Sequence, residues 1–367
     1  MTTRRPFRFL GFTLPALALC AAIAACGGKS STPLGSVTEP LGVADGTVDA
    51  WRALAPMPVP RANHCAAVAN GWLVVVGGNH SAGGSFVSTD EIDIARLENG
   101  GAIGGWRVAG KAPSPVTECT LAASNGRLWL LDGFYDDTSK QGTVWTATLS
   151  PSGALSAWAA AGPIPTGRYF TDSEAWVDSA GLHVFDAQLP ADTGGNHVAI
   201  VSTPLLAAGT FTALTPVDVV PAWRGRAAYA ATDAGRAFVL GGYLDSSQNN
   251  ATVTDVFAMP VAAASTASTF ATSPLPQPRT FGRAVAVDDW IVHVGGRPVL
   301  LGANGVPDVY AAQVNGTGGL GAFTSQSALP EGRTNFAMAL AGNWLYVTGG
   351  GFDAGGLDTV FVARVRH

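Results

Sequence analysis

One short apolar segment recurs along the chain, and it constrains the fold more than any other feature. Its first copy is GWLVVVGG, residues 71–78, an apolar strand that ends in a pair of glycines. Later copies follow at intervals of 55, 54, 55, 54 and 54 residues: GRLWLLDG, LHVFDA, GRAFVLGG, DWIVHVGG and NWLYVTGG. Six copies at a nearly constant period of about 50 residues are typical of a β-propeller, in which each repeat forms one blade.

Each repeat contains four short segments with the pattern of β-strands. In the first repeat these segments are residues 61–69, 72–78, 89–97 and 105–109. The last repeat stops after its third strand, FVARVRH, whereas residues 51–54 precede the first repeat as an unpaired fourth strand. The sequence therefore predicts an all-β, six-bladed propeller with four antiparallel strands in each blade. The N-terminal strand near Trp51 completes the last blade, and this closure removes free sheet edges.

Further features of the repeat resemble a known family. An aromatic residue returns near the start of each fourth strand, as Trp106, Trp158, Phe211, Phe270 and Phe323. We expect these rings to fill the space left by glycines of neighbouring blades. Together with the doubled glycine and a Pro-x-Arg turn, they resemble the kelch repeat over residues 51–367. The second and third copies depart from the pattern, with Asp132 and Asp186 in place of the first glycine.

The N-terminus has the pattern of an export signal. Residues 1–26 combine a basic start, a short apolar run interrupted by Pro15, and small residues before Cys26. This resembles a bacterial lipoprotein signal, which implies that Cys26 carries the lipid. Ordinary cleavage with release of a soluble protein is the alternative. Residues 27–50 lack apolar periodicity and are predicted to form a flexible tether. Gly27, where such lipoproteins often carry a retention aspartate, implies the outer membrane.

Composition limits the classes of partner and cofactor. The formal net charge is −5, and an acidic chain argues against a nucleic-acid partner. The histidines and the two thiols that follow Cys26, Cys65 and Cys119, have no recognisable ligand spacing, which argues against the copper chemistry known in some kelch propellers. The sequence therefore predicts no metal and no cofactor. We expect a monomer that binds an unidentified protein or glycan and is anchored to the membrane by the lipid on Cys26.

The predicted fold indicates where a binding site would lie. In a propeller, the turns that enter the innermost strands share one face with the loops between the second and third strands, and such loops commonly carry function. Five arginines fall in the predicted entry turns: Arg61, Arg168, Arg226, Arg279 and Arg333. The loops after the glycine pairs offer His80, Tyr135, Asp136, Asp137, Tyr243, Asp245, Arg297 and Asp353.

Two interpretations of the arginines remain open. A ring of guanidinium groups would bind a carboxylate or another anion through paired hydrogen bonds. Alternatively, a residue repeated in every blade ties turns to carbonyl groups and acids, and so serves the architecture.

Residues that break the repeat are more informative about function. Glu118 stands where the first and last copies have Asn63 and Asn335, and Asp172 and Glu174 lie near the same place in the third. Carboxylates opposite guanidinium groups either transfer protons to a bound sugar or form structural ion pairs. A tight, wet, concave pocket over the channel mouth, with Glu118 or Glu174 within reach, would favour catalysis. A broad face with aromatic loop tips such as Phe134, Tyr135 and Phe352 would favour a protein partner.

Cys65 and Cys119 fall on the innermost strands of neighbouring blades. An exported protein offers them an oxidising compartment. In gapless alignment of the repeats, however, Cys119 matches His64 and is one residue away from Cys65. We therefore expect two buried free thiols that pack as small apolar side chains.

These observations lead to one functional hypothesis and one alternative. The hypothesis is a membrane-anchored propeller of the cell envelope that acts as a protein- or carbohydrate-binding module. The alternative is an isomerase or epimerase acting on an anionic sugar, similar to the kelch-type sialic acid mutarotase. Glu118 or Glu174 would then be the acid/base, and Arg226 or Arg279 would hold the carboxylate of the sugar.

Overall fold

The structure is a computed structural model. The structure describes residues 45–82, 85–131, 133–135, 139–140, 142–165, 170, 172–185, 197–220, 224–244, 251–261, 269–302, 304–351 and 355–366. The described elements are strands, apart from two single-turn 3₁₀ helices at Asn99–Gly101 and Ala207–Gly209. No helix within these ranges has the length and apolar character needed to cross a membrane.

The chain forms six four-stranded antiparallel sheets in sequence order, as predicted. It begins with β1 (Arg52–Ala53), the outer strand of blade 6. Blade 1 contains β2 (Cys65–Ala69), β3 (Trp72–Val76), β6 (Glu91–Leu97) and β7 (Ile103–Lys111), with a hairpin of β4 (Asn79–Ala82) and β5 (Ser85–Ser88). Blade 2 contains β8 (Thr120–Ser124), β9 (Arg127–Leu131), β12 (Thr143–Thr148) and β13 (Ala159–Pro163), with a hairpin of β10 (Phe134–Tyr135) and β11 (Ser139–Lys140).

The remaining blades have no described hairpin between their second and third strands. Blade 3 contains β14 (Ala175–Val177), β15 (Leu182–Phe185), β16 (His197–Thr203) and β17 (Thr215–Val220). Blade 4 contains β18 (Ala228–Thr232), β19 (Arg236–Leu240), β20 (Val256–Pro260) and β21 (Phe270–Ala271). Blade 5 contains β22 (Arg283–Val287), β23 (Trp290–Val294), β24 (Val309–Gln313) and β25 (Thr324–Ser325). Blade 6 contains β26 (Ala337–Ala341), β27 (Trp344–Thr348) and β28 (Val360–Arg364) as well as β1.

The ring closes where the sequence predicted it. β1 pairs with β28, with Arg52 opposite Val362, so the N-terminal strand completes blade 6. The pairing begins earlier than expected, because Val48 forms a bridge with Val365 and is 1% exposed. The prediction of a tether that extends to residue 50 is therefore wrong at its end. Residues 45–50 belong to the propeller, while the predicted signal, Cys26 and the rest of the tether lie outside the described residues.

The glycine pairs end the second strands for a steric reason. Gly77 and Gly78 have φ angles of 64° and 89°, in the left-handed region that side chains disfavour. A Cβ atom on Gly78 would lie 2.7 Å from the carbonyl oxygen of Ala62. The pair therefore lets the second strand turn outward directly against the entry turn of its own blade.

The hydrophobic core is divided among the interfaces between blades. Leu73, Val74 and Val75 of β3 are fully buried, as expected for a strand covered on both faces. Phe211 shows the predicted filling of space, because a Cβ atom on Gly162 of blade 2 would lie 2.5 Å from its ring. Phe211 itself is 5% exposed. Glycine in one blade thus makes room for an aromatic side chain of the next.

Cys65 and Cys119 form a disulfide bond, so the expectation of two free thiols is wrong. Their Cα atoms are 5.5 Å apart, and both side chains are buried. The neighbouring backbone explains the pairing, since the N–H of Glu118 donates a 2.6 Å hydrogen bond to the carbonyl oxygen of Asn63. This bond sets Cys119, the residue after Glu118, beside Cys65, which is two residues after Asn63. The one-residue offset in the repeat is therefore what brings the two thiols together.

Candidate functional site

One residue in each entry turn has a left-handed backbone, and together these six residues surround one end of the central channel. They are Asn63, Glu118, Asp172, Arg226, Phe281 and Asn335, with φ angles between 51° and 57°. Backbone hydrogen bonds join several of them around the ring: Asn63 to Asn335 at 2.8 Å, Glu118 to Asn63 at 2.6 Å, Asp172 to Glu118 at 2.9 Å and Phe281 to Arg226 at 2.9 Å. We call this set the mouth ring. It holds side chains of different chemistry at equivalent positions.

Ion pairs connect the mouth ring across the channel. Arg226 donates to Glu118 at 2.9 Å and is also ion-paired with Asp172. Arg283, the first residue of β22, donates to the Oδ1 and the carbonyl oxygen of Asp172, both at 3.1 Å, and to the carbonyl oxygen of Phe336, also at 3.1 Å. Two guanidinium groups from blades 4 and 5 are thereby fixed to carboxylates of blades 2 and 3.

The described residues of this network are packed closely against one another. The crevice among Asp172, Arg226, Phe281, Arg283 and Asn335 has no room for a water molecule, among the residues that the structure describes. The predicted acidic residues do face arginines here, as expected from the sequence. Their contacts, however, are those of an ion-paired plug rather than of an open pocket.

The recurring arginines lie two residues before the mouth ring and are buried inside their blades. They are Arg61, Arg224, Arg279 and Arg333, with exposures of 0, 6, 4 and 1%. Arg224, rather than the predicted Arg226, is thus the equivalent of the others in blade 4. Val116 and Phe170 take this place in blades 2 and 3, and the predicted Arg168 lies outside the described residues.

Each of these arginines bonds to groups of the same blade or the next turn. Arg61 pairs with Asp93 at 2.5 Å and donates to the carbonyl oxygen of Gly77 at 3.0 Å. Arg224 pairs with Asp255 at 2.8 Å. Arg279 is ion-paired with Asp308, and Arg333 pairs with Glu331 at 2.5 Å. These contacts support the architectural interpretation of the repeat over the anion-binding one.

Other predicted site residues surround the mouth without converging on one point. Arg297 is 6% exposed and its guanidinium carbon lies 4.3 Å from the centroid of the Phe281 ring. Tyr243 forms a bridge with Gly225 next to the mouth ring. His80 is half-buried in the blade 1 hairpin. Tyr135 lies in the blade 2 hairpin, and Asp136 lies outside the described residues.

Glu174 lies one layer below the mouth ring, immediately before β14. Its carboxylate is 3.9 Å from the Nε of Arg283, and 34% of its side chain is exposed toward the channel. Burial raises the pKa of Glu174 to about 7, although the positive charge of Arg283 opposes this shift. A space of about 10 Å³, enough for a single water molecule, adjoins Glu174, His64 and the disulfide.

Below Glu174 the channel widens into a cavity of about 300 Å³. Residues of all six innermost strands line it, among them Ala66, Leu121, Ala230, Val285 and Met338. The cavity therefore lies on the far side of the plug from the loop face, which is the face that carries the mouth ring and the loops between second and third strands.

The loop face carries exposed apolar side chains in two places. Phe86 and Val87 of the blade 1 hairpin are 51% and 43% exposed, and Val299 and Leu301 of the blade 5 loop are 47% and 77% exposed. Sequence reasoning missed these residues and named aromatic tips in other loops. We call the four side chains the rim patch. The signal that could have identified Phe86 and Val87 is an apolar pair in a glycine- and serine-rich loop, SAGGSFVS.

Blade 6 connects the two halves of the rim patch. The N–H of Ser81 in the blade 1 hairpin donates a 3.1 Å hydrogen bond to the carbonyl oxygen of Gly355 in the blade 6 loop. On the other side, Val306 of the blade 5 loop forms a bridge with Arg333 in the entry turn of blade 6. The rim patch thus belongs to one continuous arc of three blades.

Comparisons with known proteins support the fold and go no further. No protein-family model and no curated protein matches the chain. The solved structures that it resembles include one described as the structure of YjhT, with a TM-score of 0.61 and 13% sequence identity. That match covers 84% of this chain and 95% of the other. At this identity a likeness shows a common fold rather than a common chemistry, so the chain is a six-bladed β-propeller whose kelch-repeat character stays a prediction.

Proposed function

We propose that this propeller is a binding module that recognises a protein partner through the rim patch on its loop face. The observation that carries the proposal is the exposure of Phe86, Val87, Val299 and Leu301 on that face. Exposed apolar side chains on the loops of a rigid scaffold are typical of protein-binding surfaces. Their burial by a partner would contribute about 25 cal/mol per Å².

A protein suits this face better than a sugar. The mouth offers no concave pocket among the described residues, and three of the four rim residues are aliphatic. Sugar sites need converging polar groups, whereas Arg61 and Arg279 are tied into their own blades and Arg226 is ion-paired across the channel with Glu118. The alternative function, isomerisation of an anionic sugar, also lacks an open approach to Glu118, which is held by Arg226.

We also propose that the module acts in the cell envelope, anchored by a lipid on Cys26. The disulfide between Cys65 and Cys119 supports export, because such bonds persist in oxidising compartments. A partner in the same compartment would then meet the loop face.

Affinity capture with matched variants tests the proposed function. The bait is the purified protein, and the prey is an envelope extract of the cells that make it, quantified by mass spectrometry. Phe86→Ser with Leu301→Ser is expected to lower capture of the partner about tenfold, as for central interface residues. Val108→Ser with Leu206→Ser is the control, since these side chains are 53% and 56% exposed but lie on other surfaces. Equal capture by both double variants would refute a partner site at the rim patch.

A further inference from the structure

The cavity inside the propeller is separate from the loop face and has its own chemistry. It occupies about 300 Å³ and is bounded on the loop side by the ion-paired plug of Asp172, Arg226 and Arg283. A volume of this size lies at the lower end of small-molecule sites. The residues on its wall therefore decide which small molecule it suits.

The charged residues on the described wall are all acidic. Glu174 lies at the inner end, and Asp178 and Asp233 lie at the end away from the loop face. No lysine, arginine or histidine is among the described residues that line the cavity. Arg283 approaches Glu174 to 3.9 Å, but its shorter bonds go to Asp172 and to the carbonyl oxygen of Phe336. The charged side chains on the described wall are thus carboxylates, and one of them, Asp178, is bonded to His183 at 2.9 Å.

Aromatic rings line the same side of the cavity as Glu174. Trp176 lies two residues along the strand from Glu174, and its ring centroid is 5.2 Å from that of Phe185. Phe185 in turn stacks on Tyr229 of blade 4 at 4.8 Å. All three residues line the cavity, but Phe185 and Tyr229 are 0% and 2% exposed, so the half-buried Trp176 is the ring among them that a ligand can reach. The faces of aromatic rings attract cations, and Trp attracts them most strongly.

The opposite side of the cavity is aliphatic. Blades 5, 6 and 1 supply only alanine, valine, leucine and methionine to it, with Val68, Val285, Met338 and Leu340 as the larger side chains. A hydrated metal ion would gain nothing from this wall. An ion with an apolar body and a positive charge would match both sides at once.

We propose that the central cavity binds a small organic ammonium ion, with its charge beside Glu174 and the Trp176 ring and its alkyl part against blades 5, 6 and 1. Entry takes place from the end marked by Asp178 and Asp233, since the plug closes the other end. This site is independent of the partner proposed for the loop face. A ligand there rests on the innermost strands of all six blades.

The titration of Glu174 supports this assignment. Burial raises the pKa of Glu174 to about 7, so an enclosed positive charge would favour its ionised form. The other ionisable groups that face it are Arg283, which is ion-paired with Asp172, and His64, whose pKa burial lowers to about 3. Binding is therefore expected to strengthen as pH rises through about 7, when Glu174 loses its proton.

Calorimetric titration with choline tests the proposal. The neutral comparison compound is 3,3-dimethyl-1-butanol, which has the shape of choline but no charge. Choline is expected to bind at least about tenfold more tightly, because the uncharged alcohol forms neither a cation–aromatic contact with Trp176 nor an ion pair with Glu174. Equal affinity of the two compounds, or no heat of binding with choline up to about 10 mM, would overturn the proposal.

Variants locate the site within the protein. Glu174→Gln and Trp176→Leu are each expected to weaken choline binding by about tenfold. Glu98→Gln, on the exposed outer part of blade 1, is the matched control and is expected to leave it unchanged. Two variants are used because Trp176→Leu also alters packing, whereas Glu174→Gln keeps size and shape. Choline binding that both variants leave intact would place the ligand elsewhere and refute the assignment.

Discussion

Removal of the Arg226 guanidinium tests whether the plug at the channel mouth holds the blades together. In Arg226→Met, Glu118 loses its cation while Asp172 keeps its bonds to Arg283. The side chains of Arg226 and Glu118 are 15% and 17% exposed, so the stranded carboxylate is largely withdrawn from water. Breaking a buried pair from one side costs 3–5 kcal/mol, and we expect about 3 kcal/mol for this partly exposed one.

Calorimetry converts this cost into a measurable shift. An unfolding entropy of about 2.1 cal/mol/K per residue means that 1 kcal/mol moves the Tm of a domain of this size by about 1.5 °C. Arg226→Met should therefore lower Tm by about 4.5 °C. Adding Glu118→Gln should restore most of the loss, because the unpaired charge is gone.

A surface ion pair provides the control for this experiment. Arg366 pairs with Asp49 at 2.5 Å, but its side chain is 60% exposed. Arg366→Met should cost less than about 1 kcal/mol, since water replaces the lost partner. If Arg226→Met changes Tm no more than Arg366→Met, or if Glu118→Gln fails to rescue it, the plug does not stabilise the ring and the reasoning is wrong.

Three further predictions concern stability. Burial raises the folded-state pKa of Glu174 from 4.5 to about 7. The protonated carboxyl therefore contributes to folding stability at acid pH, and this contribution is lost as pH rises through about 7. Glu174→Gln should thus raise stability by about 1 kcal/mol at about pH 8 and leave it unchanged near pH 4, as measured by calorimetry. Cys65→Ala with Cys119→Ala should cost about 2–4 kcal/mol for a loop of 54 residues, and dithiothreitol should lower the Tm of the parent protein but not of this variant. Gly78→Ala should destabilise more than Gly100→Ala in urea titrations, since both have left-handed φ angles but a Cβ atom would meet backbone at 2.7 Å only at Gly78.

The fold was predictable because the glycine pairs recur for a local steric reason. Gly77 and Gly78 turn the second strand against its own entry turn, and blades 4, 5 and 6 repeat the pair with the same left-handed φ angles. The unpaired strand near Trp51 then indicated closure. What the repeat did not reveal is that Val48 continues the pairing, since a single bridge leaves no periodic pattern.

The site was less predictable, because residue type was a weaker guide than position. Counting back one period from Arg279 gives Arg224, which is buried in its blade, whereas Arg226 belongs to the mouth ring. The disulfide was missed because gapless alignment of the repeats does not show how neighbouring entry turns meet, which the hydrogen bond from Glu118 to Asn63 sets. The rim patch lies in a hairpin and a loop that differ from blade to blade, so the repeat carries no information about it.

Photocrosslinking in living cells is the measurement that tests the proposed binding face most directly. A benzophenone amino acid is placed at Phe86 or Leu301 of the rim patch, and at Val108 or Leu206 as controls with similar exposure. A partner on the loop face predicts one protein adduct of the same mass from both rim positions and none from the controls. Adducts of equal yield from all four positions, or from the controls alone, would contradict a partner site on that face.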